Sequence, residues 1–214
     1  MTRREWIKKS AWFASMIAYF ALGYALLTKI SQGSERFFDV SMGFESQIPF
    51  VPAFIFGYLL VFLSVSLAYI VIDDMDEWMK SARAYFISTT IAYILFFLFP
   101  VRMDLRPVIE TATGLTEWGA QLYFSIDAPY NCFPSLHVTY PVLAVIAVWG
   151  RYRRLRWLFA AMALAVSISV VMVKQHYIAD VIAGMANAGL SYWLAVAYER
   201  YTVLRRDAEV PLTG

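Results

Sequence analysis

Six apolar stretches constrain the fold of this 214-residue chain more than any other feature. A helix needs about 20 apolar residues to cross a bilayer core. The chain is 60% hydrophobic, whereas soluble domains are roughly 45–50% apolar. We therefore predict an all-α polytopic membrane protein, with one membrane-embedded catalytic domain over residues 1–214. Its six transmembrane helices are expected near residues 11–28, 50–72, 84–101, 136–149, 157–173 and 177–198.

The basic residues predict how the chain is oriented. Lys and Arg number 13 in the N-terminal segment, the 73–83 and 150–156 loops and the tail from Glu199, against five in the opposite segments. Cytoplasmic loops carry the excess of Lys and Arg, so both termini are predicted to be cytoplasmic, in a bacterial inner membrane. The apolar stretch at 11–28 is longer than a signal-peptide core, and we interpret it as a retained span.

Both histidines of the chain lie at the predicted outer end of a span. His137 begins the fourth apolar stretch, and His176 precedes the sixth by one residue. Asp180 is four residues after His176, so on a helix the two side chains would share a face. A carboxylate in that position can fix the tautomer of the imidazole and leave its other nitrogen free to react.

Cations and a helix start are predicted on the same face as the histidines. Arg102 and Arg106 follow the third span, and Lys174 lies two residues before His176. Arginine forks suit phosphate oxygens, and Pro134-Ser135 opening a helix would add free backbone N–H groups and the positive helix end. One imidazole could attack phosphorus, or activate a nucleophile, while the other protonates the leaving oxygen. This set predicts a phosphate ester as substrate at the lipid–water boundary.

A metal centre is the competing use of two histidines and one carboxylate, since zinc could be held by them with an open position. The surrounding cations favour a bare phosphate and would repel a metal ion. We therefore expect no metal and no other cofactor.

These motifs resemble the phosphatidic acid phosphatase type 2 superfamily, the membrane branch of the vanadium-haloperoxidase-like enzymes. Its pattern is K-x6-R-P, then P-S-G-H, then S-R-x5-H-x3-D. The matching residues are Arg106-Pro107, then Pro134-Ser135-Leu136-His137, then Ser169, His176 and Asp180. The resemblance covers the region from the third to the sixth span, and it implies a vanadium-haloperoxidase-like helical core.

The resemblance also implies a role for each matching residue. His176 is similar to the nucleophile that forms a phosphohistidine, and Asp180 to the carboxylate that orients and activates it. His137 is similar to the acid that protonates the leaving group. Arg106 and Ser135 would hold the phosphoryl oxygens, and no metal is implied.

Three positions depart from the family pattern. The expected lysine is Phe99, the expected glycine is Leu136, and the expected arginine is Val170. Arg102 and Lys174 are the cations available to replace the missing two. The combination P-S-L-H with H-Y-x-x-D is more similar to the inositolphosphotransferase and inositol-phosphorylceramide-synthase-like branch than to plain lipid phosphatases.

The leading hypothesis is an integral-membrane phosphatase that cleaves a phosphomonoester or diphosphate of a lipid through a phosphohistidine. One alternative is a phosphotransferase that moves a phosphoryl headgroup, such as inositol phosphate, to a lipid alcohol. A second is a non-enzymatic membrane carrier, although carriers usually place polar residues near the midplane. A catalytically inactive relative is also conceivable. The expected partners are a lipid phosphate and the bilayer, with no nucleic acid.

The connection from Arg102 to Pro134 leaves two alternatives open. Leu115, Trp118 and Leu122 are spaced loosely like one face of a helix lying in the interface. An ordinary loop with aromatic anchors fits the same residues.

Overall fold

The computed structural model describes residues 1–209, with side chains described as far as Arg205, and in this part of the chain it contains helices and no β-strand. The all-α prediction is confirmed. Two short 3-10 turns, Glu45–Gln47 and Pro52–Phe54, lie before α2. The helices are α1 Arg3–Gln32, α2 Ile55–Val71, α3 Met75–Leu98, α4 Leu115–Ile126, α5 Leu136–Trp149, α6 Arg156–Met172 and α7 Ile178–Glu209.

Four of the described helices are long and apolar enough to cross a bilayer: α1, α2 with its preceding turn, α3 and α7. The apolar helices α5 and α6 have 14 and 17 residues and fall short of that length. Each of the six predicted stretches is therefore helical, but the structure does not confirm six spans.

Two segments that the sequence predicted as a loop or did not decide are helical in the structure. Most of the predicted 73–83 loop is helical, because the Asp74 carboxylate accepts hydrogen bonds from the Asp76 and Glu77 amides and starts α3 at Met75. Such a cap satisfies amides that have no partner within the helix. Residues Leu115–Ile126 form a helix, as one alternative for the long connection predicted, and the position of this helix in the interface stays a prediction.

The outward faces of the helices are apolar. Leu22, Phe62, Ile70, Phe97 and Trp193 are each more than half exposed. A soluble monomer rarely exposes so many large apolar side chains together, whereas a bilayer is the solvent in which such faces are stable. The chain is therefore a membrane protein.

Helix α5 lies at the centre of the bundle, where it packs against α2, α3, α6 and α7, while α1 packs mainly on α3 at the periphery. Ala82 and Ala84 of α3 share one buried cluster with Ala188 of α7. Small side chains let helix backbones approach closely inside a membrane. The Asn187 side-chain amide also donates to the Ser88 carbonyl oxygen at 3.1 Å, which links α7 to α3.

The segments with the excess of basic residues meet at one end of the bundle. Lys9 Nζ donates to the Ile72 carbonyl oxygen at 2.6 Å, and the Tyr152 hydroxyl donates to Asp73 at 2.7 Å. These bonds join the start of α1, the α2–α3 turn and the α5–α6 loop. Both histidines lie at the start of α5 and α7, which is the other end of the bundle.

Candidate active site

The start of α5 carries His137 and is built by local capping. Ser135 is the N-cap, and its hydroxyl oxygen accepts a hydrogen bond from the Val138 amide at 3.3 Å. No hydrogen bond within residues 1–209 uses the amides of Leu136 or His137. Helix α5 therefore presents free N–H donors and its positive end beside the His137 imidazole.

Gly184 allows α7 to approach this helix start closely. A Cβ at that position would lie 2.6 Å from the Ser135 carbonyl oxygen and 3.3 Å from the Val138 Cβ. The Ser135 amide in turn donates to the Asp180 carbonyl oxygen at 3.1 Å. The absence of a Cβ at Gly184 thus allows the short distance between the segments that carry the two histidines.

His176 and Asp180 form a buried pair at the start of α7. His176 Nδ1 lies 3.3 Å from Asp180 Oδ2, and the same oxygen accepts from the Tyr177 amide at 2.8 Å. The two side chains meet although His176 precedes the helix, because the Asp180 carboxylate folds back to cap the first turn. Asp180 holds Nδ1, so Nε2 is the nitrogen of His176 that is free to react.

The two imidazoles meet across the bundle. His137 Nδ1 lies 3.2 Å from His176 Nε2, although 39 residues separate them in the sequence. One nitrogen of each ring therefore faces the same point. A phosphoryl group that binds here must separate the two nitrogens, and it would then have a nucleophile on one side and an acid on the other.

The four predicted phosphate-binding residues are placed differently. Arg106 Nη1 donates to the Asp127 carbonyl oxygen at 2.7 Å, while its Nε is buried and has no partner among the described residues. Ser135 caps α5. Arg102 instead pairs with Asp104 at 2.5 Å, and Lys174 Nζ donates to the Glu45 carbonyl oxygen at 2.9 Å. Neither Arg102 nor Lys174 is hydrogen-bonded to a histidine within the described residues, so their role stays a prediction.

An apolar cavity of about 490 Å³ ends at the histidines. Along α1 its wall runs from Phe13 to Tyr24, which is about 16 Å at 1.5 Å per residue. Most of its lining is aromatic or aliphatic, and Ile17 and Phe62 at its edge are more than half exposed. The cavity therefore joins the polar site to the apolar surroundings of the bundle.

One group of side chains has the composition of a metal site. Single ligand atoms of Cys132, His176 and Asp180 lie within 4.8 Å of one another, and all three residues are buried. Zinc binds thiolates, imidazoles and carboxylates. Burial, however, raises the pKa of the Cys132 thiol well above its ordinary value, which favours the neutral thiol over the thiolate that binds metal.

Comparison with known families then decides the relationship. Residues 44–194, from the loop before α2 to the middle of α7, match the model of the PAP2 superfamily. The chain belongs to the PAP2 superfamily. The resemblance drawn from the three sequence blocks is thereby confirmed at the level of the superfamily. No curated protein and no solved structure gives a significant match to the chain.

This PAP2 protein fills two family cation positions with packed apolar side chains. Phe99 stacks on Phe38 with ring centroids 4.1 Å apart, and Val170 is fully buried in the core. Ser169, the first residue of the third block, is 1% exposed and packs against Gly57. Of the cations predicted to bind phosphate, Arg106 is the one with a buried, unpartnered donor within the described residues.

Sequence reasoning missed a polar network behind His137. The Tyr58 hydroxyl lies 2.5 Å from His137 Nε2, and the buried Asp127 carboxylate accepts from Tyr58 at 3.2 Å and from Tyr24 at 2.7 Å. Asp127 directly follows the apolar α4, and an ionisable residue beside an apolar segment is a functional signal in membrane proteins. That signal could have drawn attention to Asp127, but nothing local indicated the two tyrosines.

Proposed function

We propose that this PAP2 protein is an integral-membrane phosphatase that cleaves a lipid phosphomonoester or diphosphate through a phosphohistidine on His176. PAP2 proteins are in general phosphoesterases. The observation that carries the proposal is the 3.2 Å approach of His137 Nδ1 to His176 Nε2, with Asp180 behind the second ring. It brings an oriented nucleophile and a separate acid face to face, so that a phosphoryl group entering between them would contact both.

In the first half-reaction, His176 Nε2 uses its lone pair to form a bond to phosphorus. The ester P–O bond breaks, and its electron pair goes to the lipid oxygen, which takes a proton from His137. Asp180 keeps the His176 proton on Nδ1 and stabilises the positive charge that develops on the ring. In the second half-reaction, water gives a proton to His137 and its oxygen displaces His176 from phosphorus.

Arg106 and the start of α5 are proposed to bind the phosphoryl oxygens. A buried guanidinium N–H without a partner is costly unless an acceptor arrives, and phosphate is the acceptor that suits arginine best. The free amides of Leu136 and His137 add donors at the positive helix end. We expect this electrostatic stabilisation to be strongest when negative charge grows on phosphorus.

The apolar cavity is proposed to hold the lipid chain of the substrate. It begins at the two histidines, extends about 16 Å beside α1 and reaches exposed apolar side chains. A lipid could enter from the bilayer with its phosphate directed at the histidines. The cavity is the reason to favour a lipid phosphate over a water-soluble one.

We further propose that α5 and α6 also cross the membrane, which gives six spans. Both are apolar and pack between longer helices, and short or non-helical segments are tolerated at membrane depth where protein surrounds them. With the basic end cytoplasmic, the histidines would face the outer side. Cys132 is 2% exposed and a poor reporter, so labelling should use cysteines introduced at exposed Thr2 and at partly exposed Ser34 in a Cys132→Ser background. Labelling of Ser34→Cys only from the cytoplasm would contradict this orientation.

The phosphohistidine can be tested directly. Purified protein is incubated with a panel of radiolabelled lipid phosphates, quenched in alkali, in which phosphohistidine survives, and analysed by mass spectrometry. We expect phosphate on His176, and none in His176→Ala. Phosphate on another residue, or turnover by His176→Ala, would contradict the proposed nucleophile.

Transfer to an alcohol is a second candidate, favoured by the replacement of the family cations by Phe99 and Val170 and of the glycine by Leu136. Hydrolysis and transfer share the phosphohistidine and differ in what attacks it. Adding candidate alcohols, inositol among them, to the panel separates the two. A phosphorylated alcohol formed at the expense of free phosphate would favour the transferase.

A further inference from the structure

His137 is held by a network that the proposed phosphatase chemistry does not itself require. Asp127 is 9% exposed, and its carboxylate accepts hydrogen bonds from Tyr24 at 2.7 Å, Tyr58 at 3.2 Å and Gln175 at 3.3 Å. A carboxylate buried to this extent is costly unless a positive partner or several donors compensate it. The nearest ring nitrogen is His137 Nε2, at 3.9 Å.

The hydrogen bonds around the two rings fix where their protons lie. His176 Nδ1 faces the Asp180 carboxylate, an acceptor, so Nδ1 carries the proton and Nε2 has a lone pair. His137 Nδ1, at 3.2 Å from that lone pair, must then be a donor.

The other nitrogen of His137 faces a hydroxyl that is itself directed to a carboxylate. Tyr58 Oη lies 2.5 Å from His137 Nε2, 2.8 Å from the Tyr123 hydroxyl and 3.2 Å from Asp127 Oδ2. If Tyr58 donates its proton to the carboxylate, its oxygen is free to accept from Nε2–H. In that arrangement His137 can carry a proton on each nitrogen, and the negative charge of Asp127 offsets, through one intervening hydroxyl, part of the cost of burying the charged ring.

We propose that Tyr58 and Asp127 are positioning residues that favour the protonated form of His137 and direct its Nδ1–H at the leaving group. The two histidines are then held in mirrored fashion. Asp180 holds Nδ1 of His176 so that Nε2 attacks, and Tyr58 with Asp127 holds Nε2 of His137 so that Nδ1–H donates. This inference rests on the proposed phosphatase function.

His137 loses one proton in the first half-reaction and regains one in the second. As the His176 N–P bond forms and the ester P–O bond breaks, the leaving oxygen takes the proton of His137 Nδ1. His137 becomes neutral, with its remaining proton on Nε2 and hydrogen-bonded to Tyr58. When water attacks phosphorus, Nδ1 takes a proton from it, and the N–P electron pair returns to His176.

The test compares two esters that differ in how much they need an acid. Dodecyl phosphate has a poor leaving group and requires protonation, whereas p-nitrophenyl phosphate does not. In Tyr58→Phe and Asp127→Asn, kcat/KM for dodecyl phosphate should fall about 100-fold, within the range for losing general acid catalysis. For p-nitrophenyl phosphate the fall should be less than about 10-fold, because the nucleophile is intact.

Matched controls lie at the opposite end of the bundle. Tyr152 and Asp73 form a hydroxyl–carboxylate hydrogen bond of 2.7 Å there, so Tyr152→Phe and Asp73→Asn remove the same chemistry away from His137. The ratio of the two kcat/KM values should stay at the wild-type value in both controls. Melting temperatures in detergent identify any variant that fails to fold, and either folded site variant decides the outcome.

The possible failures are distinguishable. If the wild type hydrolyses both esters and the folded variants lose activity equally on both, or on neither, the positioning role of Tyr58 and Asp127 is wrong. If the wild type hydrolyses neither of these esters nor any member of the lipid phosphate panel, the proposed phosphatase function is wrong, and the inference fails with it.

Discussion

Replacing Gly184 by alanine should damage catalysis more than folding. The new Cβ would lie 2.6 Å from the Ser135 carbonyl oxygen, whereas the optimum for non-bonded atoms is about 3.5 Å. Relief of that clash needs α5 and α7 to separate by about 0.5–1 Å. Because Ser135 immediately precedes the segment with His137, the gap between His137 and His176 should widen by a similar amount from 3.2 Å.

The magnitudes follow from these distances. A misplacement of about 1 Å can cost 100-fold in rate, so kcat should fall by roughly 10- to 100-fold. Overpacking costs about 1–3 kcal/mol, and the gain from replacing a helical glycine by alanine, about 1 kcal/mol, partly offsets it. The net loss of folding free energy should thus be about 2 kcal/mol or less.

Gly189→Ala is the matched control, since it lies on the same helix and a Cβ there would meet nothing within 4 Å. It should keep wild-type kcat and be stabilised by roughly 0.5–1 kcal/mol. The assay is initial-rate hydrolysis of a lipid phosphate in detergent micelles, with a thermal melt of each variant. Wild-type kcat in folded Gly184→Ala would refute the argument that this contact sets the histidine distance.

Three further predictions follow from other contacts. Lys9 is fully buried, and its ammonium group lies 4.8–5.0 Å from the centroids of three aromatic rings. In a thermal melt, Lys9→Ala should therefore lower the free energy of unfolding by about 3 kcal/mol, whereas Lys8→Ala, at an exposed position, should leave it almost unchanged. Arg106→Ala should lower kcat/KM by roughly 100- to 1,000-fold in the hydrolysis assay. Arg102→Ala should keep near-normal turnover, because the partner of Arg102 is the exposed Asp104. A larger loss in Arg102→Ala than in Arg106→Ala would mean that Arg102 replaces the missing lysine. Activity should survive exhaustive chelation with EDTA, and loss that zinc restores would identify the Cys132 cluster as a metal site.

The sequence alone determined the features that depend on local pattern. The length and apolarity of six stretches predicted helices at each, because a helix needs only its own residues to satisfy its backbone. The spacing of Arg106, His137, His176 and Asp180 was enough to indicate the superfamily. The sequence also predicted that His176 meets Asp180, although the contact forms because the Asp180 carboxylate folds back to cap α7 and not because both residues lie on one helix face.

Only the tertiary structure decided which distant groups share the site. Tyr58 and Asp127 come from α2 and from the end of α4, and they are 69 residues apart in the sequence. No local pattern marks a tyrosine as facing a histidine rather than lipid. The same holds for the cations: Arg102 and Lys174 were predicted on the same face as the histidines, but they bind the Asp104 carboxylate and the Glu45 carbonyl oxygen instead. Side-chain partners depend on the path of the loops and on burial, which follow from how the helices pack together rather than from the residues of any one segment.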